Sequence, residues 1–157
     1  MPMMFDDFML DKERVVNHPR LKKVLHAMRI TGKPMRYIME LLEPSLGEDF
    51  KYCLNEIKNM IELMGEIHDC DAAVEELTVH LKEVRLFNLH ITNRTDRFVT
   101  RGLRTTIDEF RDKREKLFVK MCGTFTKWGR ENLRRKLISS MNTQDHSELR
   151  LIRPEAS

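Results

Sequence analysis

Apolar residues recur every three or four positions along most of this chain, and that rhythm predicts helix. Met3, Met4, Phe5, Phe8, Met9 and Leu10 supply the material for a short opening helix. A first long helix begins near Pro19, whose missing N–H suits a first helical turn. Its apolar face reads Leu21, Val24, Leu25, Met28, Met35, Ile38, Met39 and Leu42, and Pro44 stops it. Gly32 and Pro34 inside it predict a bend. Ser45 and Glu48 have the spacing of a capping box and open a second helix. That helix buries Phe50, Leu54, Ile57, Ile61 and Met64 and ends at Gly65. A third starts at Asp69, an acceptable N-cap, and continues through Cys70, Ala73, Val74, Leu77, Leu81 and Val84. After a loop over 88–93, the fourth is the longest. It carries Leu103, Ile107, Phe110, Leu117, Met121, Phe125, Trp128, Leu133 and Leu137, with Gly123 as a candidate bend.

No segment alternates with period two, so the expected class is all-α. Short connections favour antiparallel neighbours, hence an antiparallel four-helix bundle with a long C-terminal helix. A length of 157 residues with 41% hydrophobic residues fits one domain with its own core. The expected divisions are an N-terminal extension over 1–18, the bundle over 19–141, and a mobile polar tail over 142–157.

Charge changes this picture, because the net +3 hides segregation. From Lys12 to Arg36 there are eight Lys/Arg against Glu13 alone. From Glu43 to Glu76 there are ten acids against Lys51 and Lys58, and from Arg94 to Lys136 fourteen bases face six acids. A folded bundle would concentrate positive potential on its first and last helices. No apolar run approaches the ~20 residues of a spanning helix, and the N-terminus lacks the order of a signal peptide. The expected site is cytoplasmic, without membrane contact. Cys53, Cys70 and Cys122 are scattered and read as small buried hydrophobes in a reducing compartment.

The most informative segment is Leu21–Tyr37, LKKVLHAMRITGKPMRY. Lys22, His26, Arg29, Lys33 and Arg36 follow one another at steps of four and three. At ~100° per residue they share an arc of roughly 80° and span about 20 Å of axis. No acid stands between Arg20 and Ile38. Like charges at this spacing repel, and an anionic ligand would relieve that cost. Arg presents a planar fork to phosphate oxygens, Lys a compact charge, and charged His two donors. The plainer alternative is a solvated face, or one paired with acids from the middle helices. The last helix adds Arg111, Lys113, Arg114, Lys116, Lys120, Lys127 and Arg130. Arg114 stands where the rhythm calls for an apolar residue, so it either snorkels or points into a polar groove.

The run His26, Arg29, Lys33, Arg36, Tyr37, read as HAMRITGKPMRY, resembles the H-x-x-R-I-x-x-K-x-x-R-Y helix of the CHAD domain, a helical family named for its histidines. MGEIHDCDAAV, from Met64 to Val74, is similar to the family's L-G-x-x-x-D segment, with Gly65 and Asp69 in place. The basic, aromatic stretch ending at Phe125 and Trp128 is a third, less specific match. The resemblance implies a bundle that binds inorganic polyphosphate and associates with polyphosphate granules. His26, Arg29, Lys33 and Arg36 become the ligand contacts, joined by Lys22, Arg114 and Lys120 on charge. Gly65 and Asp69 become structural. Pro34 departs from the pattern and predicts a bent stripe. Family members usually carry two four-helix units and this sequence shows one, so a homodimer completing the double unit is expected.

Other functions are disfavoured by particular absences. A di-metal carboxylate bundle needs Glu-x-x-His, and no Glu precedes any of the six histidines by three residues. Phosphoryl transfer needs carboxylate-held Mg²⁺, and the tempting pair Asp69 and Asp71 reads as helix-start residues. The expectation is therefore a non-enzyme with no metal or cofactor. Nucleic acid would bind only non-specifically, on charge. A structural or partner-binding bundle, suggested by 11 Met, is the alternative.

Overall fold

The computed structural model describes residues 1–93, 95 and 97–142. Its elements are α1 (Pro2–Met9), α2 (Lys12–Asn17), α3 (Lys22–Leu42), a 3₁₀ turn (Glu43–Ser45), α4 (Glu48–Leu89), α5 (Arg101–Glu131) and α6 (Leu133–Asn142). Among the described residues there is no strand, and the all-α bundle class stands. The tail expected over 142–157 lies outside them from residue 143 on.

The division into helices differs from the patterning in several places. The second and third expected helices are one helix, α4, running through Gly65 and Asp69. A single interior Gly costs about 1 kcal/mol. The apolar rhythm crosses Gly65 without a phase jump: Ile57, Met60, Ile61, Met64, Ile67 and Cys70 are all buried. Ser45 belongs to the 3₁₀ turn, so no capping box forms; the Gly47 carbonyl accepts from Phe50 and Lys51 instead. Glu48 and Asp49 still place negative charge at the N-terminal end of α4. Pro19 precedes α3 rather than opening it. The last helix runs through Gly123 and breaks at Asn132, whose φ of 52° lies in the left-handed region that Asn tolerates better than most residues.

The described residues form two compact units, 1–62 with 122–142, and 63–121. In the first, α1 packs on α3 and α6, and α2 packs on α3. Phe5 and Phe8 of α1 meet Trp128, with ring centroids 6.2 and 6.4 Å away, and Phe125 stands edge-on to the same indole at 5.9 Å. Gly32 admits Phe8: a Cβ there would lie 2.8 Å from two ring carbons and 3.2 Å from Ile61. The glycine read as a bending residue is thus a contact that lets α1 and α4 approach α3. Asp6 receives two hydrogen bonds from Arg134, each 2.6 Å, fastening α1 to α6.

A polar seam joins α4 to α5 in the same unit. Glu56 accepts from Lys127 at 2.8 Å and from the Trp128 indole at 2.9 Å. The Tyr52 hydroxyl donates to Glu131 at 2.5 Å, and Lys127 and Lys136 sit over the Tyr52 ring. The hydrogen bond to Glu56 holds the Lys127 ammonium well above its usual range, while that from Tyr52 holds the Glu131 carboxyl below its own. Every member of this seam has a partner, the condition under which a part-buried polar network stabilises a core.

The second unit is the α4–α5 hairpin. Leu63, Met64, Ile67, Cys70, Leu81, Ile107, Phe118 and Met121 are its buried apolar residues. Buried among them, Asp71 accepts from Arg114 Nε at 2.8 Å. That pair, rather than helix capping, is the role of Asp71.

Candidate polyanion-binding site

The buried ridge of α3 is Leu25, Met28, Gly32, Met35 and Met39. Leu21 and Ile38, expected on it, are exposed instead. His26, Arg29, Lys33 and Arg36 are each one residue beyond a ridge position, and all four are half-buried. Lys22, a turn further back, is exposed. One step of ~100° sets them beside the ridge, so their stems lie against apolar surface and their heads reach outward. The five cations therefore share one flank of a single helix.

Arg36 Nε lies 3.7 Å from Glu40 Oε1, beyond hydrogen-bond range, and its guanidinium sits 4.8 Å from the Tyr37 ring centroid. Glu40 is shared with Lys58 of α4 at 3.4 Å. Arg29 Nε is buried and has no hydrogen-bond partner among the described residues. An arginine donor shielded from water without a partner is costly, and a phosphate oxygen is the acceptor its fork fits best. Glu40 is the acid that the sequence reading overlooked. It stands four residues past Arg36, on the same flank, so the i,i+4 spacing could have found it.

The electrostatics at the helix start point the same way. The first turn of α3 has Lys22 and Lys23, no acid, and no side-chain cap. Cations at the positive end of a helix dipole repel it, and together they raise the local potential. The turn ahead of α3 adds an open cavity of 610 Å³ lined by Arg14, Asn17, His18, Pro19, Arg20 and Leu21.

Arg114 and Lys120 belong to the second unit. Arg114 is paired with an acid of its own unit. Its side chain is 17% exposed and is committed to Asp71, with Phe118 beneath its guanidinium at 5.6 Å. Lys120 is exposed on α5. Of the expected contacts, the structure brings together the five on α3. Among the described residues no group of three or more His, Cys, Asp or Glu is placed to hold a metal ion.

The family model for the CHAD domain matches residues 10–78. The match spans less than half of the chain and contains both the α3 motif and the Met64–Val74 segment; the Phe125–Trp128 stretch lies beyond it. No curated protein and no solved structure matches the chain.

Proposed function

From a CHAD-type segment over residues 10–78 we infer that this protein binds inorganic polyphosphate along the cationic flank of α3, without chemistry of its own. The observation that carries the reading is the half-buried row His26, Arg29, Lys33 and Arg36, continued by Lys22 along one flank of α3, with the buried Arg29 Nε lacking a hydrogen-bond partner among the described residues. A flexible chain of phosphates can follow such a row, meeting a new cation roughly every 5 Å of helix. Arg114 serves the fold through Asp71, which narrows the contact set to α3, with Lys120 as a peripheral cation. Nucleic acid binds the same row only as a weaker polyanion.

A homodimer completes this reading. Ile30, Pro34, Tyr37 and Leu41 form an exposed row on α3, on the solvent side of the cations. Leu41 is 79% exposed and Tyr37 53%. Two copies meeting there would enclose the phosphate chain between two cationic rows, and polyphosphate would then promote dimerisation. A cytoplasmic place beside polyphosphate granules belongs to the same proposal. Among the described residues no helix is long and apolar enough to cross a membrane.

Titration calorimetry with long-chain polyphosphate tests the reading. Binding should appear at low salt and weaken as salt rises. Arg29→Ala, Lys33→Ala or Arg36→Ala should each cost about 1–3 kcal/mol, the worth of a charge-assisted hydrogen bond. Polyphosphate should displace DNA at far lower concentration than the reverse; the opposite order would make nucleic acid the ligand.

A further inference from the structure

The far end of the second unit carries a surface that polyphosphate does not explain. Where α4 ends and α5 begins, Leu86, Phe87, Leu89, Phe98 and Val99 are all exposed. The tip is a built feature. The Asn88 side-chain amide donates to the Phe98 carbonyl at 2.9 Å, and its oxygen accepts from the Phe98 N–H at 2.8 Å. Arg97 Nε donates to the Ile91 carbonyl at 3.2 Å. These bonds set Phe98 beside Phe87, ring centroids 5.7 Å apart, and both residues are exposed. A hairpin needing only a turn would not hold two phenyl rings outward, since exposed apolar clusters mark contact surfaces.

The charge at this tip selects the partner. From Val84 to Ile107 the sequence has five arginines, Arg85, Arg94, Arg97, Arg101 and Arg104, against Asp96 as its acid. Arg94 and Asp96 lie outside the described residues. A second copy of the chain would bring the same arginines face to face, so self-association here meets like-charge repulsion. A polyanion would satisfy the arginines but not the phenyl and leucyl groups. A surface with both anionic heads and an apolar interior satisfies both sets. We propose that the α4–α5 tip docks on an anionic lipid bilayer, with Phe87, Leu89, Phe98 and Val99 entering the acyl boundary and Arg85, Arg97, Arg101 and Arg104 on the headgroups. Docking of this kind needs no spanning segment, so the absence of membrane contact expected from hydropathy alone does not bear on it.

Vesicle co-sedimentation of the full chain tests this independently of polyphosphate binding. The protein should carry Arg29→Ala, Lys33→Ala and Arg36→Ala, which removes three of the five α3 cations and so lowers the contribution of that row. It should sediment with phosphatidylcholine vesicles containing phosphatidylglycerol and stay in solution with phosphatidylcholine alone. Two further variants divide the surface. Arg101→Glu with Arg104→Glu removes charge while placing acids at a helix start, where they favour folding. Leu89→Ser with Val99→Ser removes apolar area from two of the most exposed positions. Each should lower partitioning by about tenfold or more. Protein that stays in solution with both vesicle types overturns the proposal. So does undiminished sedimentation of the Leu89→Ser, Val99→Ser variant, which would reduce the contact to charge alone. A dimer seen by analytical ultracentrifugation and abolished by that same variant would assign the tip to a second copy and overturn it as well.

Discussion

Gly32 and Gly123 occupy helix interiors and should respond oppositely to an added side chain. A Cβ at Gly32 meets the Phe8 ring at 2.8 Å, and that ring is fully buried against Trp128, so it has little room to retreat. Gly32→Val should cost about 1–3 kcal/mol through overpacking. At Gly123 nothing lies within 4 Å, so Gly123→Ala should gain about 0.5–1 kcal/mol from helix propensity. Urea melts of the two variants check both signs. The pair shows what a sequence hides at this scale: both glycines read as possible bends, because steric context, not residue type, separates them. Arg114 was similarly ambiguous. Its rhythm placed it at the core, but its partner Asp71 lies forty-three positions away and looked like a helix cap. Asp71→Ala should cost about 2–4 kcal/mol by stranding a guanidinium that is largely out of water. Asp71→Leu combined with Arg114→Met should recover most of that loss. Additive losses in this double-mutant cycle would contradict the pairing.

At the scale of elements, the cysteines and α1 give the sharpest expectations. Cys53 is fully buried on α4, and burial pushes its thiol up to about 11. It should resist Ellman's reagent at pH 8 until the protein unfolds. Helix α1 is held by Phe5, Phe8 and the Asp6–Arg134 bonds, so Phe8→Ala should cost about 3–5 kcal/mol and shift the emission of the sole tryptophan, Trp128, to the red. Helix type and the buried faces of α3, α4 and α5 were legible because apolar spacing records them directly. Helix ends were less so. Gly65 and Asp69 carry the marks of a stop and a start, yet the apolar phase on either side agrees, and burying a continuous ridge outweighs both local signals. Phase continuity was the better guide. Asn132, by contrast, breaks a helix that the apolar pattern carries on to Leu137, since the turn depends on backbone conformation and leaves no trace in hydrophobicity.

For the whole molecule, stability should form a plateau over neutral pH with two separate edges. Hydrogen bonds from Arg134 and Tyr52 lower the carboxyls of Asp6 and Glu131, so their contribution is present above the unfolded values and fades as pH falls through the folded ones. The same Glu131 bond raises the Tyr52 hydroxyl, whose contribution is complete below about 10 and lost as pH climbs past it. Thermal melts across pH should show both edges, and Tyr52→Phe should soften both, since it removes the bond to Glu131. The cationic flank of α3 was visible in the sequence as a bare helical arc. The depth at which those side chains sit was not, because half-burial comes from the neighbours of α3 and not from its own spacing.

The most direct test of the account is one calorimetric titration at low salt, comparing wild type with Arg29→Ala, Lys33→Ala, Arg36→Ala. Long-chain polyphosphate should bind the wild type, while the triple variant, equally helical by circular dichroism, should lose about a hundredfold or more in affinity. Equal binding by both proteins, or no binding heat from the wild type, would contradict it.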